Sequence, residues 1–232
     1  MRIIVFGANG PTGRLLTGQA LDAGHEVVAV TRRPADFPLA HDRLTVFEGD
    51  VLHQDSVDTA VADGDVVLSV LGVPFGKAEI TTYSAGVGNI VTAMRKHRVR
   101  RIAVVSSGAV DLRPYSEAGF LFNRVVQPYI ARVLGRTLYD DMRRMEALLR
   151  ATELDWTIVR PSGLFELPAV TEYTMVAGHA DSRFTARVDL AASLLRLAET
   201  EGLFVRDTVA VVTTADNPSI LQLIRSEALG KS

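Results

Sequence analysis

Glycine recurs at positions 7, 10 and 13, in the stretch Gly7-Ala-Asn-Gly-Pro-Thr-Gly13, directly after the apolar run Arg2–Phe6. A strand turning into a helix does not need three residues without Cβ atoms in seven positions. A bound diphosphate does, because it sits on the open N–H groups of a helix N-terminus, where side chains would hold it away. Gly7 would permit the sharp turn, Gly10 the close approach of the anion, and Gly13 tight packing of helix on strand. The G-x-x-G-x-x-G spacing is slightly wider than the usual dinucleotide fingerprint. Its place after a strand and before a helix, at the head of a βαβ unit, gives it specificity. The plainer alternative is a glycine-rich turn with no ligand.

The next residues with chemistry to offer are Thr31, Arg32 and Arg33, at the end of the second apolar run. An acidic residue there would bind a ribose 2′-hydroxyl and select NAD. Two guanidinium groups and a hydroxyl suit a 2′-phosphate instead, since arginine presents fixed donors to phosphate oxygens. The expected cofactor is therefore NADP(H), with Arg32 the stronger ligand and Arg33 open to being a solvated residue before Pro34. Asp50, in Glu48-Gly-Asp-Val51, stands where a carboxylate accepts from an adenine amino group or caps the following loop. Leu71 and Gly72 end the fourth apolar run on the nicotinamide side, and Ser106 and Ser107 end the fifth. In an open α/β sheet all of these converge on one crevice outside the carboxyl ends of the strands.

The elements that must position them alternate along the chain. Runs rich in Val, Ile and Leu predict strands at 2–6, 25–30, 44–51, 65–72, 101–107, 156–163 and 208–214. Between them, helical patterns fall near 11–24, 55–62, 82–97, 139–151 and 188–200, the first opened by Pro11 and closed by Gly24. Near-continuous apolar strands separated by helices predict an α/β fold: a mainly parallel, doubly wound sheet with helices on both faces. Neither a repeat nor a shift in composition divides the chain, so a single domain over 1–232 is expected.

The totals narrow the function. With 232 residues, 47% hydrophobic and 22% charged, the chain is long enough for one substantial core. A formal net charge of −2 favours neither nucleic acid nor an anionic membrane as partner. The basic run Arg95–Arg101 reads as a solvated helix end. The lack of cysteine removes disulfides, thiolate metal sites and cysteine nucleophiles, and the five histidines form no metal-binding pair. Neither a signal peptide nor an apolar stretch of the ~18 residues that span a bilayer is read, so a cytoplasmic protein is expected.

Taken together, "GANGPTG", "TRRP", "EGDV", "VVSS" and "LLRATELDWTIVRPSGL" resemble the atypical short-chain dehydrogenase/reductases. The nearest subgroup comprises single-domain NAD(P)H-binding proteins similar to NmrA-like proteins and to biliverdin-IXβ (flavin) reductases. The resemblance implies a Rossmann-like domain, a bound dinucleotide and, in the enzymatic members, hydride transfer from NADPH. It also implies that Gly7, Asn9, Gly10, Pro11, Thr12, Gly13 and Arg14 hold the phosphates and that Arg32 and Arg33 meet the 2′-phosphate. Asp50 and Val51 then line the adenine, Leu71 and Gly72 flank the ribose, and Pro161 and Ser162 close over the nicotinamide end. Ser106 matches the serine beside the nicotinamide, with Ser107 a candidate for the same role. Where typical members carry Tyr-x-x-x-Lys, this chain has Tyr139-Asp-Asp-Met-Arg143. The pair is either a variant acid/base dyad, arginine favouring the phenolate, or part of an ordinary helix face.

Residues 111–138 break the strand–helix rhythm. Apolar groups at 120, 121, 122, 125, 126, 129, 130, 133 and 134 follow roughly helical spacing, with Pro128 as a kink. A lid, a subunit contact and an ordinary core helix are all compatible with it. The stretch 164–189 is the other substrate-side element, in which Tyr173, Met175, His179 and Arg183 are candidates to touch substrate. The expected function is an NADPH-dependent reductase acting on a small planar acceptor such as a flavin, quinone or conjugated carbonyl compound. The alternative is an NADP(H)-binding redox sensor, while a sugar-nucleotide epimerase or dehydratase would need a larger C-terminal region. The expected partner is that small-molecule acceptor, with neither nucleic acid nor membrane, in a monomer or homodimer.

Overall fold

The computed structural model describes residues 1–76, 78–116, 119–182 and 184–215. The strands are β1 (Arg2–Phe6), β2 (Glu26–Thr31), β3 (Leu44–Glu48), β4 (Val66–Ser69), β5 (Arg101–Val105), β6 (Asp155–Val159), β7 (Gly163–Phe165), β8 (Tyr173–Ala177), β9 (Phe184–Ala186) and β10 (Asp207–Thr213). The helices are α1 (Pro11–Asp22), α2 (Gln54–Val61), α3 (Thr82–His97), two single α-turns α4 (Gly119–Leu121) and α5 (Gln127–Tyr129), α6 (Arg136–Arg150) and α7 (Arg187–Glu199). π-Helical turns at Phe122–Val126 and Ile130–Leu134 join α4, α5 and the start of α6.

The main sheet runs β3-β2-β1-β4-β5-β6-β10-β8, parallel except for the antiparallel edge strand β8. This is a Rossmann-like doubly wound sheet, and strand order reverses beside β1, which pairs with both β2 and β4. Alternation along β1 shows how the two layers form. Ile3 and Val5 face α1 and α7, whereas Ile4 and Phe6 face α2, α3 and α6, and all four are fully buried. Each such side chain contributes about 1.5–3 kcal/mol relative to exposure, which is why a five-residue strand suffices to hold the glycine turn that follows it.

The strands are shorter than their apolar runs. Val51, Leu71, Gly72, Ser106, Ser107 and Gly163 lie beyond the last ladder pair of their strands or in separate short pairing, not within the strands as the runs suggest. Their backbone is thereby freed from the ladder at the carboxyl edge of the sheet. β8 and the β7–β9 pair were not read from the sequence, because their short segments lack a continuous apolar run. The basic run leaves Lys96 and Arg100 exposed at the end of α3 as expected, and among its arginines only Arg101 departs from a solvated helix end. Lys96 bonds Asp58, Arg100 bonds Asp155, and half-buried Arg101 donates to the carbonyls of Asp155, Leu197 and Leu203, tying β5 to β6 and to the end of α7. Among the described residues, no helix is long and apolar enough to cross a membrane.

Candidate functional site

Gly7 leaves β1 with φ +80°, and a Cβ there would lie 2.6 Å from the Val70 carbonyl oxygen. A Cβ on Gly13 would lie 2.3 Å from the Gly7 oxygen, so this glycine lets α1 sit on the turn. Gly10 is different: a Cβ there meets protein only at the Gly7 oxygen, 3.3 Å away. Yet Gly10 lines a cavity of ≈ 790 Å³, so what its missing side chain keeps clear is the cavity wall. The volume lies in the range of small-molecule sites.

Gly10 is also the N-cap of α1, with no side-chain cap bond and no acid in the first turn. Pro11 takes the first helical position, where its missing N–H costs nothing, and the first-turn backbone is left to an anion. Arg14 bonds the Asn9 side chain through Nε (3.0 Å) and Nη2 (2.7 Å). It staples the loop rather than lining the cavity, as does Gly13 by packing; these are the two loop residues that the structure sets behind the wall. Asn9, Gly10, Pro11 and Thr12 form the wall itself. A diphosphate fits this donor set.

The remaining candidates converge as the topology requires. Thr31, Arg32, Arg33, Asp50, Val51, Leu71, Gly72, Ser106, Ser107, Tyr139, Pro161 and Ser162 all line the same cavity. Arg33 turns toward Asp36, with Nε 3.5 Å from Oδ2, while Arg32 has no ion pair among the described residues. Asp50 lines the cavity and also caps the following loop, its Oδ1 accepting from the Leu52 N–H at 3.0 Å.

The Ser106 hydroxyl donates to Glu146 Oε1 at 2.6 Å, so its proton points into the protein and only its lone pairs remain for a ligand. Glu146 is 1% exposed and is held by Arg160 through two bonds (2.9 and 2.6 Å) and by Arg150 at 2.9 Å. Burial raises the Glu146 carboxyl, but the bonds from Arg160 and Ser106 with the charges of Arg160 and Arg150 outweigh it and hold the group below its usual range. Ser107 keeps its own proton, because its oxygen accepts from the Ala109 N–H at 3.2 Å.

Tyr139 lines the cavity edge-on to Phe75. The Arg143 guanidinium is engaged by the Val110 carbonyl (3.2 Å) and Asp140 (2.6 Å). Of the 164–189 candidates, Tyr173 and Met175 pack on the core from β8, and His179 stacks on Tyr115 outside the main cavity. Arg183 lies outside the described residues.

Among the wall residues that the sequence reading missed are Tyr83, Met142 and Arg187. Tyr83 opens α3, and its hydroxyl accepts from the Val73 N–H at 3.1 Å. Burial pushes the phenol up, so it stays protonated and its proton remains available. Met142 stands one turn beyond Tyr139. Arg187, at the start of α7, lies 3.4 Å from Thr12 Oγ1 beside the α1 mouth and is held by Glu166 at 2.8 Å. No local pattern could signal Arg187, since it reaches the loop from 175 residues away.

The NAD(P)H-binding family matches the chain over residues 7–201, a span that begins at the first glycine of the loop and includes every wall residue beyond it. The chain belongs to the NAD(P)H-binding family. An uncharacterized protein of Mycobacterium tuberculosis is 36% identical over 109 residues, 47% of this chain but 12% of that protein, so the chain spans a small part of this relative's length. A short-chain dehydrogenase/reductase of Veillonella parvula, solved in complex with NADP, superposes with a TM-score of 0.77 at 21% identity, covering 94% of this chain and 98% of that one. ChuY, an anaerobillin reductase of Escherichia coli O157:H7, gives 0.71 at 20% identity, covering 94% and 100%. At such identities the two structures establish the fold of this NAD(P)H-binding protein and nothing finer.

Proposed function

We propose that the protein is an NADPH-dependent reductase that passes hydride to a small planar acceptor: a flavin, a quinone or a related conjugated carbonyl compound. The observation that carries this reading is the run of the cavity. It extends from the α1 mouth and Arg32, past Gly72 and Ser106, to an apolar end walled by Val73, Pro74, Leu138, Tyr139 and Met142. The cofactor supplies the hydride when bound. The chain's own residues orient the two reactants, which lowers the barrier by removing the entropic cost of alignment. Ser107 and Tyr83 retain protons to donate to an acceptor oxygen or nitrogen, while Ser106, committed to Glu146, accepts. The Veillonella complex with NADP and the reductase activity named for ChuY support the reading by likeness.

Selectivity for NADPH rests on Arg32. A charge-assisted guanidinium–phosphate bond contributes about 1.5–3 kcal/mol, so Arg32→Ala should weaken NADPH binding by roughly 10- to 100-fold and leave NADH unchanged. Fluorescence titration of both coenzymes against wild type and variant measures this. Equal binding of the two by the wild type removes the NADP assignment.

One observation favours a second reading, an NADP(H)-responsive sensor of NmrA-like type: Arg143 stands where the usual pair has lysine, and its guanidinium is bound by the Val110 carbonyl and Asp140. Tight NADPH binding with no oxidation across flavin, quinone and carbonyl acceptors would select the sensor.

A further inference from the structure

The helical stretch 119–134 is built inside out. One row of uncharged polar and small residues faces the protein: Asn123 accepts from the Tyr115 N–H (2.9 Å) and donates to the Tyr115 carbonyl (2.7 Å), and Gln127 donates to the Arg113 carbonyl (3.1 Å). Buried Ala131 and Gly135 continue this row at four-residue steps. Seven large apolar residues face outward. Leu121, Val125, Tyr129 and Val133 form a second row at the same step, flanked by Phe120, Val126 and Leu134. Phe120 is 80% exposed, Leu121 68% and Val133 60%. The two π-helical turns widen the average turn beyond that of an α-helix, so the rows run along the axis instead of spiralling around it.

These seven side chains make up most of the eleven exposed large hydrophobics among the described residues. Scattered exposed apolar groups need no explanation, but a contiguous helix face does. The charge beside it points to the occupant. From 119 to 139 the chain has three arginines and no acid, in a protein of net charge −2. Arg124 and Arg132 are exposed and have no ion pair among the described residues; Arg136 lies 3.8 Å from Asp140. Phe75, 52% exposed, extends the apolar surface to Tyr139 and so to the mouth of the cavity.

We propose that the outward face of residues 119–134 docks on an anionic lipid bilayer. An apolar helix face edged with arginine is the pattern of a helix lying in the membrane interface, where aliphatic and aromatic groups enter the acyl boundary and cations meet the headgroups. A second copy of the chain fits less well, since a two-fold interface would set the same arginine-edged face against itself. Net charge suggested no membrane partner, because −2 averages over a local concentration of positive charge. The inference goes beyond the reductase reading and is tested without turnover.

The test is flotation of the full chain with vesicles of mixed phosphatidylcholine and phosphatidylglycerol, compared with vesicles of phosphatidylcholine alone. Binding to the anionic vesicles should be at least ~10-fold stronger and should weaken as salt is raised. Arg124→Gln/Arg132→Gln should remove most of that preference, and Val125→Ser/Val133→Ser should lower binding to both vesicles by at least ~10-fold. Both variants alter exposed positions, so their melting temperature and NADPH affinity should match wild type. No flotation with either vesicle overturns the proposal, as does flotation that the two variants leave unchanged. A dimer in sedimentation velocity that Val133→Glu converts to monomer would give the face to a second copy. Flotation seen only after deletion of residues 216–232 would give it to that stretch of the chain.

Discussion

Replacing Glu146 by glutamine tests the buried charge network beneath Ser106. The carboxylate accepts two bonds from Arg160, one from Arg150 and one from Ser106. Glutamine retains one acceptor oxygen and turns an NH₂ group toward guanidinium donors, so Arg160, mostly buried, loses its nearer counter-charge and keeps only Asp111, 3.7 Å from Nη1. Breaking a buried pair by removing one partner costs about 3–5 kcal/mol, which for a chain of this length lowers Tm by roughly 6–20 °C. Arg150 is far more exposed, so Arg150→Gln should cost at most ~1 kcal/mol. The double variant Glu146→Gln/Arg160→Gln should lose less than the sum of its singles, since it no longer leaves a charge stranded. The pH dependence has a definite sign. The folded carboxyl lies below its unfolded value of 4.5, so its stabilisation is fully present above about pH 4.5 and is lost as pH falls through the folded value. The gap between wild type and Glu146→Gln should therefore be constant near neutrality and shrink in acid. Thermal and urea unfolding from acid to neutral pH measure it. A Glu146→Gln variant within ~0.5 kcal/mol of wild type at pH 7, or a gap that grows in acid, would refute the reasoning.

Gly10→Val should leave stability within ~1 kcal/mol while weakening both coenzymes at least tenfold, because its side chain enters the cavity; Gly13→Ala, whose Cβ meets the Gly7 oxygen at 2.3 Å, should instead lower Tm, and parallel melting and titration separate the two. Arg187→Met should weaken NADPH and NADH alike, by roughly tenfold, since Arg187 stands at the α1 mouth and not at the Arg32 end; an effect on NADPH alone would contradict that placement.

Much of this arrangement was legible in sequence because it is local. The glycine turn, Pro11 as the first helical residue, Gly24 with φ +90° and the basic last turn of α3 each declare themselves within a few residues. The carboxyl-edge residues followed from the parallel order alone, since every parallel strand delivers its last residue to the same side. Whatever depends on distant partners was not legible. Arg187 meets Thr12 across 175 residues, and Ser106 commits its proton to Glu146 across 40. The apolar pattern at 120–134 was visible, but which way it faces was not. Periodicity fixes that a face exists, while Asn123 and Gln127, reaching Tyr115 and Arg113, decide that the opposite face is the one turned inward.

The long-range links around Ser106 pass through α6. Tyr139, Met142, Glu146 and Leu149 form one buried stripe at helical spacing: the first two face the cavity, the third anchors Ser106 and the fourth enters the core. On the adjacent face, fully buried Asp141 accepts from the Tyr83 N–H at 2.8 Å, the Ser84 N–H at 3.3 Å and the Ser84 hydroxyl. α3 lacks a capping side chain of its own at Thr81, so a carboxylate from α6 serves as its cap and satisfies two of its first-turn donors. The same bonds fix Tyr83, whose hydroxyl meets Val73 on the cavity wall. One helix thus sets both tyrosines and the serine of the substrate end at once. A shift of α6 must therefore move this wall of the cavity while the glycine loop, held by β1 and α1, stays in place. On the proposed reductase reading, acceptor preference is accordingly a property of how α6 docks, and coenzyme preference a property of the loops at the other end of the cavity.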